Sequence, residues 1–339
     1  MTRLRDNSTK PWSLIIMGAE NADRVYGSEE VEEIRRLTEL LAPPIATHDL
    51  NQHTGLLREA EVIFSGWGGP KLDADFLAAA PKLRAFFYGA GSIKHIVSDE
   101  FWNAGIPICA AWKANAIPVG EYAFSQILFS LKCGWHYVSA TRKKEWDAEA
   151  FASPGAFGST VGIVSLGETG RLVCRWLSQL DVNVLAYDPY ADQRQAEKLD
   201  VRLCPLEELF RASDVVSIHA PWLLETTGMI DGELIRSMKK NATLLNTSRG
   251  AVINESALVS VLRERPDLFA VLDVTHPEPP PPESPLHSMP NIILTPHIAG
   301  SQFNECRRMA RSMVDECRRF VQGEALQHEI TREKSATMA

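Results

Sequence analysis

Six short apolar runs, TVGIVSL, NVLAYD, VVSIHA, TLLNTS, FAVLDV and NIILT, succeed one another through the second half of the chain, with helix-like stretches between them. Runs of this length, rich in branched side chains and apolar on both faces, are strands buried from both sides, which is the habit of a parallel sheet. Alternation with helices makes the pattern α/β, and six such strands are what a doubly wound dinucleotide-binding sheet needs. In that architecture the loops after the carboxyl ends of the strands gather at one crevice, so residues distant in sequence meet there.

Three side chains stand in such loops. Arg249 follows LLNTS, Glu278 follows FAVLDV and His297 follows NIILT. A permanently charged fork can hold a carboxylate by two parallel N–H bonds, and an imidazole beside a carboxylate can carry a proton near neutral pH. The trio therefore predicts an enzyme that binds an organic acid and moves a proton on it. Alone, an arginine is most often a surface ion-pair partner and a histidine a packed or exposed loop residue. The strand-end setting reverses that expectation for these two, whereas His219 in VVSIHAP reads equally well as structural.

The first run leads into SLGETG, Ser165 to Gly170, and then into the helix-like RLVCRWLSQL. Gly167 lets the backbone approach a pyrophosphate, Gly170 allows close helix–strand packing, and the helix start offers free N–H groups to an anion. Asp188, eighteen residues past Gly170, ends the next strand. Its carboxylate can accept from both ribose hydroxyls and would repel a 2′-phosphate, which predicts NAD rather than NADP. Ser165 occupies the first glycine position. If that position needs positive φ, serine costs roughly 1 kcal/mol relative to glycine. Glu168 sets an acid beside the phosphate site.

In the first half, strands read as Trp12–Met17, Glu61–Gly66, Leu83–Tyr88 and Ile106–Ala110, with SEEVEEIRRLTELL as a helix whose Val31, Ile34, Leu37 and Leu41 share one face. Pro118 to about Ser139 reads as one long apolar helix, and SQFNECRRMARSMVDECRRFVQG as a basic amphipathic helix that returns to the first domain. The expected division is a domain of residues 1–117 completed by 301–339, and a second of 118–300, two domains being usual at 339 residues. PEPPPPESP is a stiff loop between two strands. A net charge of −8 argues against nucleic acid or anionic membrane as the main partner, and no run nears the ~18 apolar residues of a membrane span. The start carries no long apolar segment of a signal peptide, and the six cysteines have no metal-ligand spacing. A reduced, cytoplasmic setting and no metal are expected.

Four segments in order, SLGETG with Asp188, VVSIHAP, NTSRGAVINESAL, and DVTHPEP followed by TPHIAG, together with GAGSIKHI from Gly89, resemble the D-isomer-specific 2-hydroxyacid dehydrogenases. The resemblance implies two Rossmann-like domains: an NAD-binding doubly wound parallel sheet and a discontinuous, flavodoxin-like substrate domain, with a homodimer built through the cofactor domain. It implies that Arg249 holds the carboxylate of a small 2-keto or 2-hydroxy acid, with backbone N–H groups at Ala90 and Gly91 assisting, and that Glu278 pairs with His297. Cofactor contacts implied by the same motifs are Gly167, Glu168, Thr169, Gly170, Asp188, Ala220, Thr247, Ser248, Arg249, Asp273, His297 and Gly300. Formate-oxidising members carry glutamine where Glu278 stands, so the resemblance favours hydroxy-acid chemistry. An NAD(H)-sensing, corepressor-like interaction module with little catalysis is the alternative. The substrate's side group is left open: loops Gly66–Pro70 and Gly89–Ser92 are glycine-rich and hold no arginine cluster, which disfavours a phosphorylated acid.

Overall fold

Every pairing between strands is parallel in the computed structural model, which describes residues 10–147, 151 and 153–338. The chain divides into two compact units. One comprises the described residues up to Asn115 together with Ser301–Met338, and the other runs Ala116–Gly300.

In the first unit, strands β1 (Trp12–Met17), β2 (Glu39–Leu40), β3 (Ile45–Ala46), β4 (Val62–Ser65), β5 (Ala85–Tyr88) and β6 (Ile108–Ala110) form a sheet in the order β2-β1-β4-β5-β6, with β3 pairing farther along β1. Side chains alternate between its faces. Leu14, Ile16, Ile63, Phe86 and Tyr88 pack into one buried layer, and Ile15, Phe64 and Phe87 into the other, against Met309, Met313 and Cys317. Those last three come from the helix Glu305–Gln322, so the basic amphipathic segment does complete this unit. Its polar side grips the helix Ser28–Leu37: Arg307 and Arg311 both donate to the buried carboxylate of Glu30, at 2.9 and 3.1 Å. Pairing with two guanidinium groups is what makes burial of that carboxylate tolerable. Ser301 N donates to Asn115 Oδ1 at 3.0 Å, tying together the two places where the chain passes between units.

In the second unit, β7 (Thr160–Val164), β8 (Asn183–Tyr187), β9 (Arg202–Leu203), β10 (Val215–Ile218), β11 (Thr243–Asn246), β12 (Phe269–Leu272) and β13 (Ile292–Leu294) lie in the order β13-β12-β11-β10-β7-β8-β9. The order reverses between β7 and β10, which fixes the position of the crevice at their carboxyl ends. Both faces are covered, by layers containing Val164, Val216, Ile218 and Leu244 on one side and Ile163, Val215, Leu245 and Val271 on the other. The α/β reading with two parallel sheets therefore holds.

Local readings need three corrections. The expected helix Pro118–Ser139 is two helices, Trp112–Leu131 with Pro118 inside it and Gly134–Arg142. They break at Cys133, whose φ is +49°, and the chain turns so sharply that a Cβ on Gly134 would lie about 2.5 Å from the Phe129 ring. The helix at Ser28 stops at Leu37, because the Thr38 hydroxyl bonds back to Ile34 O and across to Ser13 Oγ while Glu39–Leu40 pairs with β1. Leu41 is thus not on that helix. Finally, β2, β3 and β9 are two-residue strands that no apolar run announces.

Candidate active site

The turn after β7 is built around two close approaches. Ser165 adopts φ +78°, the left-handed conformation that its glycine-motif position demands. A Cβ on Gly170 would fall 2.1 Å from the Ser165 carbonyl oxygen, so only glycine lets the helix Glu168–Leu177 start this close to the strand. Gly167 caps that helix and is exposed. The first-turn N–H groups, at Glu168, Thr169 and Gly170, have no acceptor within their own helix, the setting that suits an anion such as a pyrophosphate. Asp188 is fixed beside the turn: Oδ2 accepts from Leu166 N at 2.7 Å and Ser165 Oγ at 3.4 Å, and Oδ1 from Tyr190 N at 2.8 Å. Oδ1 keeps a lone pair for a further donor.

Across the switch point, after β10, His219 shares a 2.9 Å hydrogen bond with Ser217 Oγ through Nε2. Its Nδ1 is buried with no partner among the described residues, and burial pushes the imidazole down to about 4, so it is neutral. Ala220 beside it is buried. The sequence left His219 open between two roles; its ring orientation is set by Ser217, a residue the sequence did not single out.

After β11 the side chain of Asn246 organises the loop. Its Oδ1 accepts from Ser248 N and Oγ at 3.0 and 2.8 Å, and its Nδ2 donates to Arg249 O at 2.9 Å. The asparagine side chain thereby mimics a turn of backbone, a habit that was readable in LLNTSRG. Thr247 is buried, and its Oγ1 has no hydrogen-bond partner among the described residues. Arg249 is half-buried and donates from Nη1 to Ser248 O at 2.6 Å. Burial lowers its pKa and the Glu278 carboxylate opposes the shift. Glycine at 250 lets this loop run against the next, since a Cβ there would lie 2.0 Å from the Thr275 carbonyl carbon.

The loop after β12 holds Thr275, whose hydroxyl donates to Pro277 O at 2.8 Å, and then Glu278. His276–Pro277 and Glu278–Pro279 are cis peptides. Beyond β13, His297 sits at φ +54° with Nδ1 2.6 Å from Glu278 Oε1. The imidazole and carboxylate are about half-exposed, 48% and 41%, so the pair is open to a ligand. A cavity of about 490 Å³ adjoins it, lined among others by Asp273, Thr275, Glu278, Pro279, Thr295 and His297. Among the described residues no cluster of three potential metal ligands exists.

The structure thus brings Arg249, Glu278 and His297 to neighbouring loops of one sheet. Gly167 to Gly170, Asp188 and Ala220 lie at the switch point, and Thr247 and Ser248 lead into Arg249. Asp273, expected at the cofactor, accepts hydrogen bonds from the His297 turn with both oxygens, at Thr295 Oγ1, Ile298 N and Ala299 N. Gly300 closes that turn. Ala90 and Gly91 belong to the first unit, in the turn after β5, where Ala90 is buried and Gly91 packs beside the Asn115 side chain. A dinucleotide fits what the second unit offers: a glycine-lined helix start, a fixed carboxylate one strand over, and the partnerless buried hydroxyl of Thr247.

Known proteins resemble this chain in sequence and fold. A family model described as "D-isomer specific 2-hydroxyacid dehydrogenase, NAD binding domain" matches residues 124–299. The D-3-phosphoglycerate dehydrogenase of Archaeoglobus fulgidus is 31% identical over 231 residues, 68% of this chain and 44% of its own. The chain spans about half the length of the phosphoglycerate dehydrogenases it matches, 44% to 52%. A glyoxylate reductase of Korarchaeum cryptofilum is 33% identical over 260 residues, 75% of this chain and 77% of its own. Among solved structures, a probable 2-hydroxyacid dehydrogenase from Rhizobium etli CFN 42, in complex with NADP, HEPES and L(+)-tartaric acid, superposes with a TM-score of 0.74 at 26% identity, covering 96% of this chain and 100% of that one. The D-mandelate dehydrogenase of Rhodotorula graminis shares the fold at a TM-score of 0.79 and 24% identity, over 95% of this chain and 98% of its own. The chain belongs to the D-isomer-specific 2-hydroxyacid dehydrogenase family.

Proposed function

We propose that this chain is an NAD(H)-dependent D-2-hydroxyacid dehydrogenase that works as a reductase of small 2-keto acids. The 2.6 Å contact between His297 Nδ1 and Glu278 Oε1, on the loop beside Arg249, carries the reading. In this assignment the second unit holds the cofactor, and the first unit recognises the substrate, with the Gly91 N–H serving the carboxylate; the Ala90 N–H, expected to share that role, instead donates to Tyr88 O at 2.8 Å. Asp188, already held by the turn, accepts from the adenosine ribose and makes NAD the preferred form.

A bound nicotinamide supplies or receives the hydride. Arg249 binds the substrate carboxylate; with Nη1 donating to Ser248 O, the guanidinium still has further N–H groups to pair with it. Glu278 accepts the Nδ1 proton of His297, which sets the tautomer and stabilises the imidazolium. Nε2 then carries the exchangeable proton, delivering it to the carbonyl oxygen during reduction and removing it from the hydroxyl during oxidation. Such proton transfer contributes about 10²–10⁴-fold in rate.

The test is NADH consumption with glyoxylate, hydroxypyruvate, pyruvate and phenylpyruvate, followed by pH profiles in both directions with the acid that turns over. Reduction is expected to fall and oxidation to rise with increasing pH, and His297→Asn to lose about 10²-fold or more. Parallel profiles in the two directions would defeat the role given to His297. NADH binding without turnover of any keto acid would point instead to an NAD(H)-sensing module.

A further inference from the structure

The turn that carries His297 is held by side chains outside the Arg249, Glu278 and His297 trio. Asp273 is 1% exposed, and its carboxylate accepts from Thr295 Oγ1 at 2.6 Å, Ile298 N at 2.9 Å and Ala299 N at 2.8 Å. Its main-chain carbonyl accepts from His297 N at 2.9 Å. One residue thus bonds four groups of the turn around His297, on Thr295, His297, Ile298 and Ala299. Thr295 Oγ1 also lies 3.0 Å from Tyr122 Oη, on the helix Trp112–Leu131. The direction of this last bond follows from proton count. A threonine hydroxyl has one proton, and here it goes to a carboxylate that has none to give. Tyr122 must therefore donate to Thr295. Burial, reinforced by the nearby Asp273 charge, raises the phenol above its ordinary pKa, so the donor stays protonated. The chain of bonds runs Tyr122 to Thr295 to Asp273, and each donor strengthens the next.

What the chain holds is a residue in a conformation that a side chain with a Cβ does not keep unaided: His297 at φ +54°. That backbone setting points Nδ1 at Glu278. We propose that Tyr122, Thr295 and Asp273 form a positioning relay that locks the His297 turn and thereby fixes the imidazole against Glu278. Asp273 then serves the histidine rather than the cofactor, and Tyr122, remote in sequence from every motif of the site, becomes a determinant of the proton-transfer geometry. The relay acts through His297, so its value for catalysis rests on the reaction proposed above, while its effect on the imidazole does not.

The experiment follows the His297 imidazole by nuclear magnetic resonance in the full chain, its signals assigned by their loss in His297→Asn, together with keto-acid reduction as a function of pH. Thr295→Val is expected to shift the imidazole titration and to lower kcat about 10-fold, with KM for the keto acid changing by less than about twofold, as befits a small displacement of a reacting group. Thr295→Ser, which keeps the hydroxyl, should restore both. Tyr122→Phe should give a smaller change of the same kind, about threefold in kcat, and keeps the ring packed if Thr295→Val fails to fold. An unchanged titration in Thr295→Val and in Tyr122→Phe, or a Thr295→Ser variant as impaired as the valine, would overturn the relay. A wild-type chain that turns over no keto acid, yet whose His297 titration moves in Thr295→Val and recovers in Thr295→Ser, sinks the reaction and leaves the relay standing.

Discussion

Ser165 shows how far a single residue can be read in advance. Its place in SLGETG raised the question of positive φ, and the structure sets it at +78° with its hydroxyl 3.4 Å from Asp188. Two effects compete there: left-handed strain of roughly 1 kcal/mol, and a long hydrogen bond on which Asp188 does not depend, since Leu166 N serves the same oxygen at 2.7 Å. Strain should win. Ser165→Gly is expected to raise the stability of the second unit by up to about 1 kcal/mol, less what the freer unfolded chain takes back, as measured by urea unfolding. A loss of stability would show the hydroxyl to matter more than the backbone. The positive φ of His297 was not legible in the same way. No glycine motif marks TPHIAG, and apart from the Thr295 hydroxyl the donors that hold it are main-chain N–H groups, which every residue possesses and which therefore leave no trace in composition. The partners of Asp188 and Asp273 were hidden for the same reason.

At the level of elements, the long strands were legible because each is buried on both faces and so reads as an unbroken apolar run. The two-residue strands were not, since their existence depends on a neighbour's free edge rather than on their own side chains. Helix ends failed where long-range packing overruled the local cue: Pro118 looked like a first-turn proline yet lies inside Trp112–Leu131, and the break came at Cys133 because Gly134 must pass the Phe129 ring. The candidate site depends on one element contact above all, the crossing of the Arg249 and Glu278 loops at Gly250. Gly250→Ala places a methyl group 2.0 Å from backbone, where no side chain can yield. It should destabilise the unit by about 1–3 kcal/mol and move Arg249 away from Glu278. Thermal unfolding, with the affinity for a 2-keto acid in the presence of NADH, would measure both; an alanine variant indistinguishable from wild type would mean that the crossing is looser than described.

Across the whole molecule, histidines whose charged form the fold disfavours work against stability in acid. His219 remains neutral in the fold down to about pH 4, whereas in the unfolded chain it takes up a proton near 6.5. Between those values the unfolded state binds more protons, so stability falls as pH falls, by about 2 kcal/mol from pH 7 to pH 5 for this one group. His95, His136 and His328 are lowered by burial in the same direction. Urea midpoints at the two pH values should show the loss, and His219→Gln should reduce it by that amount; an equal loss in the variant would remove His219 as a cause. The first unit raises a different matter, one of time. Its sheet is closed by Met309, Met313 and Cys317, and its buried Glu30 waits for Arg307 and Arg311. A ribosome making 5–20 residues per second needs roughly 10–40 s to cross the stretch Ala116–Gly300 that intervenes. Throughout that interval the early strands exist with one apolar face bare and an acid unpaired, while the second unit can already have closed. The half that is made first is the half that must finish last, and its exposure to chaperones and proteases is written into the order of its pieces.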